Sequence, residues 1–282
     1  MNMVNKIFSV CCFMLAFCAA SHAACDISGI ESDAPKLCGN AMQGGMLYGE
    51  AKGWNVYNAE NAKQKISKDS VFVIGLGRDT PEIVKLMFCK EGRDNDCKTY
   101  AYKIKQRQYI EQQVTVPDKY IKYSDDVQKR IDGENAKIVK ARGDSSDDSS
   151  INFMDLRPPL DMDKFPISGV FGSRRVFNGI PKSPHNGLDI AAPSGTKVRA
   201  VAPGRVVIAA DMYLTGKTVF ISHGHGITSA YFHLSEINVK TGANVTPDTV
   251  IGKVGATGRA SGAHLHLGLY WLQIAIDPEL FL

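Results

Sequence analysis

The chain has 282 residues, enough for one large domain or two ordinary ones, and its apolar (44%) and charged (22%) fractions are those of a globular protein. A net charge of +4 suits work beside an anionic polymer but is too small to argue for nucleic-acid binding, and no basic run with interleaved aromatics is present. Phosphate-loop and dinucleotide-binding glycine patterns are absent, as are internal repeats.

The first segment reads as an export signal. Lys6 supplies a weak positive start, and Ile7 to Ala20 is almost unbroken apolar sequence, too short for a comfortable bilayer span. Ser21 and Ala23 are small residues at the positions a signal peptidase reads, so cleavage after Ala23 is expected. A retained anchor and a lipoprotein are the rival readings. Against the second, His22 stands where a lipobox before Cys25 has Leu, and bulky Phe17 precedes Cys18. Of seven cysteines, Cys11, Cys12 and Cys18 leave with the signal. Cys25, Cys38, Cys89 and Cys97 remain, an even set that suits disulfides in an exported chain. Three connectivities are open; short local loops favour Cys25–Cys38 and Cys89–Cys97. No C-x-x-C spacing supports a structural zinc site instead.

Short strand-like runs follow. Ser70 to Gly75 and Ile83 to Phe88 are apolar, and Thr99 to Lys105 alternates with Tyr100, Tyr102 and Ile104 on one face. The turn-rich segment between Cys89 and Cys97 predicts a hairpin stapled by a disulfide, in a small β-sandwich. A helix is expected next. Ser124 can cap it, Asp125 and Asp126 suit its first turn, Val127, Ile131 and Ile138 recur at near-helical spacing, and Arg142-Gly143 can end it, although Gly133 weakens it. Residues 144–150 are all Asp and Ser and read as a linker. From Asp161 onward, short Val/Ile runs alternate with Pro203-Gly204, Thr215-Gly216 and Thr241-Gly242 turns, predicting an antiparallel all-β domain. The expected division is signal 1–23, β-rich N-terminal domain 24–120, helix and linker 121–160, and a second β domain 161–282.

Every histidine except His22 lies in that last domain. His264 and His266 are two apart, so in a strand both point to one face. His185 and Asp189 are four apart, with Gly187 allowing a bend that aims both at one point. Two imidazoles and a carboxylate form a three-ligand set with a position left for water, the catalytic rather than structural zinc pattern. Each spacing alone is weak. Together with an isolated His233 in a β-rich exported domain they are stronger. On spacing alone, His223 and His225 are also candidate ligands. Asp211 and Asp277 fit surface or turn roles better, and Tyr270-Trp271 fits packing.

Gly169 to Leu282 closely resembles the lysostaphin-like, or LytM-type, zinc metalloendopeptidases. The resemblance runs through Phe171-Gly172-Ser173-Arg174-Arg175, the H-x-x-x-D of His185 and Asp189, Ala191 to Thr196, His223 to Gly226, Tyr231-Phe232-His233-Leu234, Ile251 to Gly255, and Thr257 to His266. Ala263 and Ser261 depart from Pro and Thr, which are common there. More loosely, 72–142, including Arg78-Asp79 and Arg107-Gln108-Tyr109, resembles the N-terminal region of some Gram-negative members. The resemblance implies an all-β sandwich of the duplicated-hybrid-motif kind holding one zinc ion on His185, Asp189 and His266. It implies catalytic roles for His264, as general base, and His233, stabilising the oxyanion or orienting the water. It makes His223 and His225 packing residues. The implied substrate is the peptide of bacterial peptidoglycan, at D-alanine–diaminopimelate bonds in the periplasm, with no nucleic-acid partner and no membrane anchor after signal cleavage. The rival function is a LytM-type module that binds wall and activates another hydrolase without cutting. Its usual mark, loss of one of the five His/Asp positions, is absent. A zinc-holding wall-binding or host-interaction protein with little turnover is a third reading. An N-terminal domain that covers the groove is a further expectation.

Overall fold

Alternating apolar residues with few helical periods produce, among the described residues, an almost entirely β fold with one long helix. The computed structural model describes residues 24–58, 64, 66, 70–93, 95–114, 123–143, 156–177 and 179–282. The expected signal (1–23) and the Asp/Ser segment (144–150) lie outside the described residues.

The N-terminal region has strands β1 (Ala24–Ile27), β2 (Leu37–Gly39), β3 (Met46–Glu50), β4 (Trp54–Tyr57), β5 (Val71–Gly75), β6 (Ile83–Lys90) and β7 (Cys97–Lys103). They form two antiparallel sheets, β1-β2-β3-β5 and β4-β6-β7. Cys89 pairs with Cys97 across β6 and β7, and a disulfide joins them at a Cα–Cα distance of 4.0 Å, so the expected stapled hairpin is present. Cys38 is also disulfide-bonded, whereas the side chain of Cys25, its expected partner, lies outside the described residues. Tyr102 and Ile104 are fully buried beside Phe72, Leu86 and Phe88, as the alternation around them predicts.

Next come β8 (Glu111–Val114) and helix α1 (Asp125–Gly143). The helix has Asp125 and Asp126 in its first turn and Lys140 and Arg142 in its last, matching its dipole at both ends. Ile131, Ile138 and Ala141 lie on the covered side of α1.

The remaining strands are β9 (Ile167–Gly169), β10 (Arg174–Phe177), β11 (Ile180–Pro181), β12 (Leu188–Ile190), β13 (Lys197–Arg199), β14 (Gly204–Met212), β15 (Gly216–Ser222), β16 (Ile227–Leu234), β17 (Glu236–Ile237), β18 (Asn244–Val245), β19 (Val250–Lys253), β20 (Leu265–Trp271) and β21 (Ile274–Ile276). The large sheet runs β18-β14-β15-β16-β20-β12-β9, with β21 also paired to β20, and a small sheet runs β13-β19-β17. Strand alternation gives β20 two faces. Leu265, Leu267 and Leu269 enter the main core with Val198, Ile251 and Val254. Tyr270, on the other face, packs with Ile208, Met212, Phe220 and Ala230, and Ile138 and Ala141 of α1 cover that cluster.

The N- and C-terminal regions share one buried core: Leu37, Phe72 and Leu86 belong to the same cluster as Leu188, Ile251 and Trp271. A Cβ on Gly75 would lie 2.6 Å from the Trp271 side chain, so the two regions touch without a gap. Arg107 pairs with buried Asp277 at 2.7 Å, and Asp277 also caps the turn at Pro278–Leu280. Strand β8 pairs in parallel with β10 and, with β11, makes a three-stranded sheet across the two regions.

Candidate metal centre

Strands β12 and β20 are antiparallel neighbours, and Asp189 lies directly opposite His266. Directly opposed side chains share a face at about 5 Å, so this register brings carboxylate and imidazole together. His266 Nδ1 lies 2.8 Å from Asp189 Oδ1, and His185 Nε2 lies 3.0 Å from both atoms. The three side chains form a group able to hold a metal ion.

The turn Val170–Ser173 fixes His185 three ways. Its ring Nδ1 meets the Val170 carbonyl at 2.9 Å, its backbone N–H donates to Ser173 O, and its carbonyl accepts from Gly172 N–H. A carbonyl only accepts, so Nδ1 carries the proton and Nε2 presents its lone pair to the site. His266 is oriented by Phe232, its cross-strand partner, whose ring stacks on it at 4.8 Å and 2°. Two glycines make room. A Cβ on Gly169 would lie 2.5 Å from Asp189 Oδ2, and one on Gly187 would lie 2.7 Å from His266 Nε2.

Two further imidazoles flank the trio. His264 Nε2 is 3.9 Å from Asp189 Oδ1, and its Nδ1–H donates to Gly262 O at 2.9 Å. His233 Nδ1–H donates to Thr257 O at 2.8 Å, and its ring centroid is 4.8 Å from that of His264. His233, one residue before the end of β16, takes a left-handed backbone (φ 61°) where the β15–β16 register shifts, and its N–H donates to Thr215 O. In both rings the carbonyl contact leaves Nε2 unprotonated in the neutral form.

Electrostatics follow from burial and these contacts. Burial raises the Asp189 carboxyl, but the adjoining His185 and His266 rings outweigh it and hold the group below the usual carboxylate range. Burial lowers His266, with the Asp189 carboxylate opposing, and burial also lowers His233, so both rings are shifted toward the neutral form. Lone pairs and a carboxylate crowded about 3 Å apart repel one another unless a cation lies among them. Nitrogen and oxygen donors at this spacing suit a small borderline divalent ion such as zinc, whose ligands lie at about 2.0–2.2 Å.

All five expected positions, His185, Asp189, His233, His264 and His266, therefore meet on one face of the large sheet. The second H-x-H does not join them. His223 is buried beyond β15, donates from Nδ1 to Pro203 O at 2.7 Å and accepts at Nε2 from Ser229 Oγ at 2.7 Å. The chain continues to Tyr231 OH, 3.0 Å from Ser229 Oγ, which accepts from Val201 N–H. Burial pushes the His223 ring down to about 4. An unfolded His titrates near 6.5, so below that pH the unfolded state takes up the proton first and stability falls until about pH 4. The loss attributable to this ring is roughly 3 kcal/mol. Denaturant melts from pH 7 to 4 should show a shallower decline for His223→Asn than for the parent chain; parallel curves would count against it.

Sequence reasoning missed Phe232 as the support of His266 and Val170 as the carbonyl that fixes His185. Phe232 carried a signal, since it directly precedes His233 in a strand-like run. Val170 carried none.

The fold and site define a β-sheet protein with a three-donor His/His/Asp centre flanked by two further imidazoles. Residues 183–278, about a third of the chain, match the family model described as peptidase family M23. Peptidoglycan DD-endopeptidase ShyA of Vibrio cholerae is 41% identical over 114 residues, which cover 40% of this chain and 26% of that protein. DD-carboxypeptidase/endopeptidase Mpg of Neisseria meningitidis is 45% identical over 82 residues, covering 29% of this chain and 19% of that protein. The chain thus matches only a fifth to a quarter of these curated relatives. The crystal structure of a putative peptidase M23 from Pseudomonas aeruginosa superposes with a TM-score of 0.64 at 28% identity, covering 86% of this chain and 95% of that one.

Proposed function

We propose that the chain is a zinc-dependent endopeptidase that hydrolyses peptide cross-links of bacterial peptidoglycan, at D-alanine–diaminopimelate bonds. The observation that carries this reading is the convergence of His185 Nε2, Asp189 Oδ1 and His266 Nδ1, with the Nε2 of His264 beside them. These three donors would hold zinc, which when bound supplies a Lewis acid for the scissile carbonyl and lowers the pKa of water. His264 is the general base: its Nε2 takes the proton of the attacking water and returns it to the leaving nitrogen as the C–N bond breaks. Neutral His233 accepts a hydrogen bond from the same water at Nε2 and orients it. The peptidoglycan substrate is supported by the relatives' names. The division into residues 1–23, 24–120, 121–160 and 161–282, with export to the periplasm, belongs to the same proposal. No helix among the described residues is long and apolar enough to cross a membrane.

The test is incubation of the zinc-loaded chain with sacculi of defined chemistry, followed by mass spectrometry of the muropeptides. The expected result is conversion of cross-linked dimers to monomers, abolished by chelation and restored by zinc. Sacculus binding with no new muropeptides would instead support the non-cutting wall module.

A further inference from the structure

We propose that Arg78 and Tyr109, in the N-terminal region, are positioning residues of the metal centre that act on His185 through the turn Val170–Ser173. This rests on the metal-holding part of the reading above and not on its wall substrate.

The turn has two sides. Toward the site, it makes all three contacts to His185 described above. Away from the site, residues more than sixty positions earlier hold it. The Arg78 guanidinium donates from Nε to Gly172 O at 2.7 Å, while Gly172 N–H donates to His185 O at 2.8 Å. One residue therefore links Arg78 to the first donor. The Arg78 side chain is 14% exposed, and its position is fixed by Asp79 and by the face of Tyr109, 4.6 Å from the ring centroid.

Tyr109 closes the same turn from another direction. Gly172 has φ +78°, and a Cβ there would lie 2.2 Å from the Tyr109 ring, so ring and backbone are in direct contact. Tyr109 also meets Phe171 edge to face at 6.2 Å, and Arg107 covers the ring at 5.3 Å. The Tyr109 hydroxyl is buried with no hydrogen-bond partner among the described residues, so the ring does the packing. The next residue continues the brace: Arg174 N–H donates to Ile110 O at 2.8 Å, the first link of the β8–β10 ladder.

A centre whose donor is held by one turn is only as rigid as that turn. With Arg78 or the Tyr109 ring gone, Gly172, which favours many backbone conformations, is held from one side alone. His185 then samples positions away from Asp189 and His266. Partners beyond the ligands are worth about 10–100-fold in metal affinity.

The experiment is zinc affinity of the full chain, measured by competition with a chromogenic chelator, together with the visible spectrum of the cobalt(II)-substituted protein. Arg78→Gln and Tyr109→Leu should each weaken zinc about 10–100-fold and alter the cobalt spectrum. Tyr109→Phe, which keeps the ring, should restore what Tyr109→Leu loses. Phe88→Leu, in the core of the same region and packed on Phe72 and Tyr100, controls for general loosening: it should lower the melting temperature and leave zinc affinity intact. Wild-type affinity in Arg78→Gln and Tyr109→Leu overturns the proposal, as does an equal loss in Phe88→Leu. A parent chain that binds no zinc also overturns it. Raised sacculus digestion at unchanged zinc affinity would make the region a cover rather than a brace, which overturns it too. If the parent chain binds zinc and the variants lose it, yet no sacculus is cut, the brace stands and the peptidase reading falls.

Discussion

Gly187→Ala is expected to remove zinc binding and hydrolysis together. The added Cβ would lie 2.4 Å from Leu267 O and 2.7 Å from His266 Nε2. The first obstacle is backbone of β20 and cannot swing aside. The second is a donor ring already clamped on its other side by Phe232 at 4.8 Å. Relief must come from moving β12 away from β20 or from turning His266 out of register with Asp189. Either change separates donors that now lie 2.8 Å apart. Overpacking of this kind costs about 1–3 kcal/mol, and the zinc affinity should fall by at least the 100-fold seen for strong outer-sphere changes. A chelator competition and a thermal melt read the two effects separately. Near-parental zinc affinity would show that the close approach at Gly187 is dispensable.

His264→Ala is expected to separate binding from chemistry. His264 stands 3.9 Å from Asp189 Oδ1, outside the three donors that lie within 3.0 Å of one another. Its Nδ1–H is tied to Gly262 O, so what the ring offers the site is the Nε2 lone pair. Removing a general base lowers turnover by about 10²–10⁴-fold, while zinc affinity should stay within a few-fold. The rate on cross-linked muropeptide and the chelator competition are compared in the same preparation. Loss of zinc with the ring would make His264 a ligand. Undiminished turnover would leave the base to His233, whose neutral Nε2 is the other available acceptor.

The site was legible because strand alternation and short spacings are local. His264 and His266 fall on one face by period two, and His185 and Asp189 are close enough in sequence to reach one point, although Gly187 between them serves close approach to Leu267 O rather than the expected bend. The Cys89–Cys97 hairpin and the limits of α1 were likewise written in residues close in sequence: the helix runs Asp125–Gly143, from the residue after Ser124. What escaped was long-range. Nothing near Glu111 signals that β8 pairs in parallel with β10, because that ladder depends on where two distant segments are carried. Nothing near Leu37 or Phe72 signals that they share a core with Trp271. The covering of Tyr270 by α1 is similar: its apolar residues mark a buried stripe, and only the fold says against what.

If the centre holds zinc as proposed, the direct opposition of Asp189 and His266 would make metal capture a proofreading test of strand pairing. A slip of one residue between β12 and β20 would turn one of the two side chains to the far face, because side chains alternate along a strand. A mispaired sheet therefore has no three-donor pocket, and only the correctly registered molecule gains the binding free energy of the ion. Zinc supply would then sort properly zipped sheets from slipped ones while the protein matures, before any substrate is met.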